Sequence, residues 1–167
     1  QSRSSAASDV YKRQVQISAI KFTFKDIVQG FKNLKDTMLA MTIGSFLGFF
    51  VGILPAAGAT PAALMSYGIT KQLSKNSKDF GTGVPAGVVA PECANNSAST
   101  GSMLPMLTLG IPGSPTTAIL LGGMILWGLT PGPLLFTQQP EFVWGLIGSL
   151  YIANFFTLIL KLSLIHI

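Results

Sequence analysis

Three long stretches of the chain carry no charged residue, and most of their positions are apolar: residues 37–70, 93–140 and 142–160. A helix that crosses a bilayer needs about 20 mostly apolar residues, within a range of roughly 17 to 25. Phe142 to Leu160 meets this requirement, and Met38 to Leu54 just meets it. We therefore predict an all-α, polytopic transmembrane helical protein with re-entrant or broken helices. A soluble protein with a buried helical core is the less favoured alternative, because so few residues are charged.

The first apolar stretch is interrupted by "PAAGATP", Pro55 to Pro61. Beyond it, only Ala62 to Thr70 remain before Lys71, about 14 Å of helix at 1.5 Å per residue. That length is too short for a second crossing, so we predict a re-entrant helical hairpin with its tip at Pro55 to Pro61. Irregular backbone at membrane depth is tolerated only beside protein or a water-filled cavity. The hairpin is thus a candidate site, and a simple helix kink is the alternative.

Lysines flank this hairpin on both sides, and the first group lies within residues 25–36. Residues 25–36 have an apolar stripe at helical spacing, so they form either a helix lying in the membrane interface or a helix packed on other parts of the protein. A second group, Lys71, Lys75 and Lys78, follows the hairpin. Lysine clusters in short connections favour the cytoplasmic side. We expect both groups to face the cytoplasm.

Polar residues gather in the middle of the chain, in "GVVAPECANNSASTGSMLP". Glu92, Asn95, Asn96 and Ser99 are spaced so that they share one face of a helix. Polar groups inside a membrane need partners and often mark an ion or substrate pathway. Hydrogen bonding between helices is the alternative role. We interpret Glu92, Asn95 and Asn96 as candidate ligands of a coupling cation, either sodium or a proton.

A second helix break follows in "LGIPGSPTT". Ser114 is suited to cap a helix that begins at Pro115, and Thr60 before Pro61 suggests the same arrangement at the first break. A helix N-terminus directs free N–H groups and a positive dipole end at a carboxylate. Paired Gly/Pro-interrupted segments point to a transporter binding site. The candidate substrate-binding residues are Gly58, Thr60, Gly110, Gly113, Ser114, Thr116 and Thr117.

The two ends of the chain share one DNA element. GATGTGTATAAGAGACAG is a possible coding sequence for residues 9–14, and its reverse complement encodes the final "LSLIHI". The element resembles the end of a transposase-based sequencing adapter, and the preceding adapter bases encode residues 4–8. We therefore interpret residues 1–14 and 162–167 as adapter-derived, and 15–161 as part of a transmembrane region that is cut at both ends.

Excluding these ends changes the chemistry available to the chain. The net charge falls from +5 to +3, the remaining cations are all lysine, and His166 is lost. Without histidine, a serine protease or a histidine metal site has no candidate, and the single Cys93 offers no disulfide. We predict no catalytic residue, no metal site and no cofactor other than the coupling cation. An anion bound in this region would be held by backbone amides and hydroxyl groups.

Four segments carry a family resemblance: "ILPAAGAT", "SYGITKQLSKNSKDFGTG", "GVVAPECANNSASTGSMLPMLTLGIPGS" and "GLTPGPLLF". They resemble the large membrane subunit of the tripartite tricarboxylate transporter family, from about Gly44 to Phe155. The family usually has Gly where Ala56 stands, and Ala or another small residue where Cys93 and Ser97 stand. All three differences replace one small residue with another.

The resemblance implies an ion-gradient-driven secondary transporter of the bacterial inner membrane. Such transporters import carboxylates, including citrate-like compounds, together with a small membrane subunit and a periplasmic substrate-binding protein. The chain resembles part of the second of two related halves, and so would supply one side of the binding site. Neither an enzymatic activity nor a nucleic-acid partner is expected. A channel, or a structural membrane subunit without coupled transport, is the alternative function.

Overall fold

The structure, a computed structural model, describes residues 34–164, with side chains from residue 37 onward. Every regular element in this range is helical, which confirms the all-α prediction. A short 3-10 turn lies at Ser77–Asp79. The seven α-helices are α1 (Leu34–Ile53), α2 (Ala59–Leu73), α3 (Ala86–Gly101), α4 (Met103–Leu109), α5 (Pro115–Leu126), α6 (Leu135–Gln138) and α7 (Pro140–Leu164).

Several sequence predictions concern residues outside this range. The adapter-derived stretch 1–14 and nearly all of the lysine-rich helix at 25–36 lie outside the described residues. Of the C-terminal stretch, residues 162–164 continue α7 as exposed helix, and 165–167 are not described.

One described helix, α7, is long and apolar enough to cross a bilayer, with a mean hydropathy of 1.8. This agrees with the span predicted at Phe142 to Leu160. The apolar part of α1, Thr37–Ile53, and helix α5 are shorter apolar helices. At 1.5 Å per residue, Thr37–Ile53 extends about 26 Å, slightly less than a hydrocarbon core of about 30 Å. The apolar part of α1 is therefore slightly shorter than a full crossing.

The predicted helical hairpin is present, formed by α1 and α2. Its turn contains hydrogen bonds from Leu54 N to Val51 O (3.1 Å) and from Ala57 N to Leu54 O (3.2 Å). Helix α2 is longer than expected, because it starts at Ala59, before Pro61, and continues past Lys71. Proline is tolerated in a first helical turn, where its missing N–H would have no partner within the helix.

Small residues bring α1 and α3 into direct backbone contact. Gly44, Gly48 and Gly52 recur every four residues on α1, and they face Ala90, Ala94 and Ala98 of α3. A Cβ atom placed on Gly48 would lie 2.7 Å from the Cα of Ala94. Small residues at this spacing allow two membrane helices to approach closely. The pattern is visible in the sequence as "GSFLGFFVG", although no prediction was drawn from it.

Helices α3 and α4 form one broken helix over residues 86–109. Only Ser102 separates them, and Pro105 follows three residues later. Because proline has no N–H, it cannot donate to the carbonyl four residues before it, so the helical ladder is interrupted at this point. Helix α4 then packs with α5, α6 and α7 around a small apolar core of Met106, Leu107, Met124, Leu135 and Val143.

Candidate functional site

The two helix breaks predicted from the sequence are in contact. The backbone N–H of Gly58 donates to the carbonyl oxygen of Gly113 at 3.2 Å. Gly58 has φ 70° and ψ −177°, a conformation that glycine adopts most readily. Gly113 is buried, and a Cβ on it would lie 2.8 Å from both Gly52 O and the Cβ of Ser102. Glycine at these two positions therefore allows the breaks to meet beside the α3–α4 junction.

The second break has the predicted cap. The Ser114 hydroxyl oxygen accepts from Thr117 N at 3.2 Å, and Ser114 N donates to Thr117 Oγ1 at 2.9 Å. Pro115 occupies the first helical position of α5, as expected. Ser102 lies behind this cap, with its hydroxyl 3.3 Å from that of Ser114. Hydrogen bonds that involve the side chains of Ser114 and Thr117 thus hold the N-terminus of α5 in position.

The prediction for the first break was wrong in one respect. Thr60 does not cap a helix that starts at Pro61, because α2 begins at Ala59 and Gly58 is its N-cap residue, without a side-chain hydrogen bond. Because α2 begins two residues before Pro61, Thr60 is past the N-cap position, and no side chain caps this terminus. Thr60 instead lies in the first turn with its side chain exposed. Its hydroxyl forms no hydrogen bond within the described part of the chain.

A cavity of about 1200 Å³ opens beside the two breaks. It is lined by seven predicted site residues, namely Gly58, Thr60, Asn95, Asn96, Ser114, Thr116 and Thr117. Gly110, Gly113 and Glu92 do not line it. Gly110 instead ends α4 in a left-handed conformation, and Gly113 accepts the hydrogen bond from Gly58. The structure therefore brings most, but not all, of the candidate residues together.

The electrostatics of this cavity come from backbone dipoles. None of its described lining residues carries a charge. The N-termini of α2 and α5, helices of 15 and 12 residues, both open into it. Each helix N-terminus is equivalent to roughly +0.5 elementary charge. Two such ends in one cavity favour an anionic group there without a lysine or an arginine.

The hydrogen bonds of the cap determine which donors remain available. Thr117 is buried, and its hydroxyl donates to the carbonyl of Ser114 at 2.8 Å. Thr116 is exposed to the cavity, and its hydroxyl has no partner among residues 37–164. The first N–H groups of a helix have no partner within the helix. Because Pro115 and Pro61 have no N–H and Thr117 N is bonded to Ser114, the free first-turn amides are those of Ala59 and Thr60 in α2 and Thr116 in α5. These amides and the hydroxyls of Thr60 and Thr116 are therefore the accessible donors, while Ser114 and Thr117 hold the α5 terminus in place.

The polar face predicted for α3 is also present. Glu92, Asn95, Asn96 and Ser99 are all exposed, on the side of α3 away from the buried Ala90, Ala94 and Ala98. They are thus not bonding α3 to the hairpin. Asn96 Nδ2 donates to the Glu92 carbonyl at 2.8 Å, which leaves the Asn96 side-chain oxygen as an acceptor. Glu92 lies one turn from the cavity, and its carboxylate forms no ion pair within the described chain.

Two residues of α7 were not identified by the sequence analysis. Tyr151 and Asn154 line the cavity, together with Leu146, Ile147 and Leu150 of the same helix. A single amide in the uncharged run 142–160 was the available signal. That signal alone does not reveal which elements face Asn154, because that depends on how α7 packs against α4 and α5.

Comparison with known proteins gives a consistent assignment. The sequence profile described as "Tripartite tricarboxylate transporter TctA family" matches residues 2–167, a range that includes both end segments. The chain is 48% identical over 118 residues to an "Uncharacterized protein in TAR-II ttuC' 3'region" of Agrobacterium vitis, covering 71% of the chain and 49% of that protein. It is 46% identical over 122 residues to an "Uncharacterized 52.8 kDa protein in TAR-I ttuC' 3'region" of the same organism, covering 73% and 24%. The chain thus spans about half of one relative and a quarter of the other. No solved structure matches it.

Proposed function

The chain belongs to the tripartite tricarboxylate transporter TctA family, and from that premise we propose that it forms part of the substrate pathway of an ion-gradient-driven carboxylate importer. The observation that carries this proposal is the contact between Gly58 and Gly113, which brings two helix N-termini to one uncharged cavity. A carboxylate is the ligand that such an arrangement favours. The importer would act in the bacterial inner membrane, with the breaks near the middle of the bilayer.

The substrate carboxylate would lie between the first turns of α2 and α5. The hydroxyls of Thr60 and Thr116 would donate to it, together with the backbone amides of Ala59, Thr60 and Thr116. Ser114 and Thr117 would act by keeping the α5 terminus in position. Hydrogen bonds to a charged group contribute about 1.5 to 3 kcal/mol each, so a few such donors are sufficient for binding at micromolar to millimolar concentrations.

A coupling cation would bind on the adjacent face of α3. Asn95 and Asn96 line the same cavity and supply side-chain oxygens, the ligand type that hard cations such as sodium prefer. Coupling by protons would instead use Glu92, the only carboxylate between Asp79 and Glu141. A bound cation would also offset the negative charge of the substrate, because the cavity supplies no charged side chain of its own.

The name of the family describes a tripartite system. We propose that the complete transporter works with a small membrane subunit and a periplasmic binding protein that delivers the carboxylate. The decisive experiment measures uptake of radiolabelled citrate and smaller carboxylates by cells that express all three components. Saturable uptake that requires the binding protein and collapses with the ion gradient is expected. Uptake that does not saturate and persists without a gradient would instead identify a channel.

A further inference from the structure

The cavity-facing side of α7 changes from apolar to polar along its length. Leu146, Ile147, Leu150, Tyr151 and Asn154 form one stripe at helical spacing, and all of them line the cavity. The first three are aliphatic, whereas the last two carry a phenol and an amide. Polar side chains therefore line the cavity on α7 as well as at the two helix breaks. A second polar region lies on a separate helix.

Asn154 has no hydrogen bond with any residue in the described range 37–164. Ser149, on the same helix, instead donates to the Leu146 carbonyl at 2.7 Å. An amide on a membrane-spanning helix costs free energy unless it finds a partner, and polar groups at membrane depth usually serve a pathway. The open cavity is the space in which Asn154 can meet such a partner.

We propose that Asn154 binds a second polar group of the substrate, either a further carboxylate or a hydroxyl. This role rests on the proposed function. One carboxylate would lie at the N-termini of α2 and α5, and the amide of Asn154 would hold the other end. The preferred ligand would then be a carboxylate with at least two polar ends. Asn154 would select against monocarboxylates, because they cannot occupy both regions.

Thr157 provides a matched control. It is also a polar, exposed residue of α7 without a hydrogen-bond partner among the described residues, but it does not line the cavity. Asn154→Leu and Thr157→Val are compared in the complete transporter that carries this segment, together with its binding protein. The KM and the maximal rate are measured for citrate, succinate and acetate, after the amount of inserted protein is checked.

We expect Asn154→Leu to raise the KM for citrate or succinate about tenfold or more, as for loss of one hydrogen bond to a charged ligand. Transport of acetate should change by less than about threefold, and Thr157→Val should match the wild type for all three substrates. Asn154→Gln should recover part of the affinity. Asn154→Asp, which places a negative charge beside the substrate, should weaken citrate uptake more than acetate uptake.

The possible outcomes separate this inference from the proposed function. If the wild type shows no saturable carboxylate uptake, the proposed function fails. If it transports carboxylates, but Asn154→Leu and Asn154→Asp keep wild-type KM values and substrate preference, Asn154 does not contact the substrate and the inference is wrong. If Asn154→Leu does not reach the membrane, Asn154→Asp and Asn154→Gln provide the same comparison with polar side chains.

Discussion

Gly48 of α1 lies directly against the backbone of Ala94 on α3, so closely that a Cβ on Gly48 would be 2.7 Å from the Ala94 Cα. Atoms at that separation overlap, and neither backbone can move without disturbing the neighbouring Gly44 and Gly52 contacts. This contact sets the distance between the hairpin and α3, both of which contribute residues to the cavity. The geometry of the cavity therefore depends on residues that do not line it.

The first prediction compares the same substitution at two glycines. Gly48→Ala should destabilise the protein by about 1 to 3 kcal/mol, the usual cost of overpacking. Gly68→Ala on α2 meets nothing within 4 Å and should stabilise it by up to about 1 kcal/mol through helix propensity. Thermal unfolding in detergent measures both effects. Equal shifts for the two variants would show that the close approach of α1 and α3 is not important for stability.

The second prediction concerns the hairpin turn. Ala56 has φ 59°, and it is the single non-glycine residue with positive φ in the described range. Such a conformation costs an L-residue roughly 1 to 2 kcal/mol, which explains why glycine would suit this position. Ala56→Gly should raise the thermal midpoint. The net gain in the free energy of unfolding should be up to about 1 kcal/mol, because glycine also adds backbone entropy to the unfolded chain. Ala57→Gly, where no strain is relieved, should lower the midpoint. A lower midpoint for Ala56→Gly would contradict the strained geometry.

The third prediction concerns the α5 cap. Replacing Ser114 or Thr117 with Val removes reciprocal hydrogen bonds of the cap and should misplace the amide and the hydroxyl of Thr116. Apparent substrate affinity should fall about 2- to 30-fold, because loss of an N-cap costs about 0.5 to 2 kcal/mol and each 1.4 kcal/mol is a tenfold change in affinity. Thr108→Val is the control, because Thr108 bonds only to its own helix, at the Leu104 carbonyl. Unchanged KM values for correctly inserted Ser114 and Thr117 variants would mean that the cap is structural only.

The fourth prediction separates the two coupling modes. Asn96→Leu removes a candidate sodium ligand and should raise the sodium concentration needed for half-maximal uptake. In a sodium-coupled transporter, Glu92→Gln should leave both that requirement and the pH dependence of uptake unchanged. In a proton-coupled transporter, Glu92→Gln should flatten the dependence of uptake on pH, whereas Asn96→Leu should not. Ser97→Ala is the control, because Ser97 bonds to the Ser45 carbonyl of α1 and does not line the cavity. If Asn96→Leu and Ser97→Ala change the sodium requirement equally, Asn96 is not a ligand.

The fifth prediction concerns topology. The broken helix α3–α4 covers 24 residues, about 36 Å at 1.5 Å per residue, which is enough for one crossing, whereas α5 has 12 residues. Lys78 should therefore be cytoplasmic and Glu141 periplasmic, consistent with the bias of lysine toward the cytoplasm. Cysteines at these positions, after Cys93→Ala, can be labelled with a membrane-impermeant reagent. Labelling of both from the same side would refute this topology.

Features that arise from local chemistry were predictable from the amino-acid order alone. Uncharged runs indicated a membrane protein, and the helical hairpin followed from a proline- and glycine-rich break that left too few residues for a second crossing. The Ser114 cap was readable because hydroxyl, proline and helix start lie within four residues. The shared face of Glu92, Asn95 and Asn96 followed from helical spacing. Each of these inferences involves contacts between residues close together in the chain.

Which distant residues meet depends instead on how the helices pack against one another. The hydrogen bond between Gly58 and Gly113 joins residues 55 positions apart, and the alignment of Gly48 with Ala94 depends on the rotation and register of two helices. Asn154 faces the cavity because α7 packs through Val143 against the core formed with α4, α5 and α6. Helical periodicity places a residue on a face of its own helix, but the neighbour of that face depends on packing among all the helices. Sequence spacing therefore identified the breaks, and the packing of the helices combined them into one cavity.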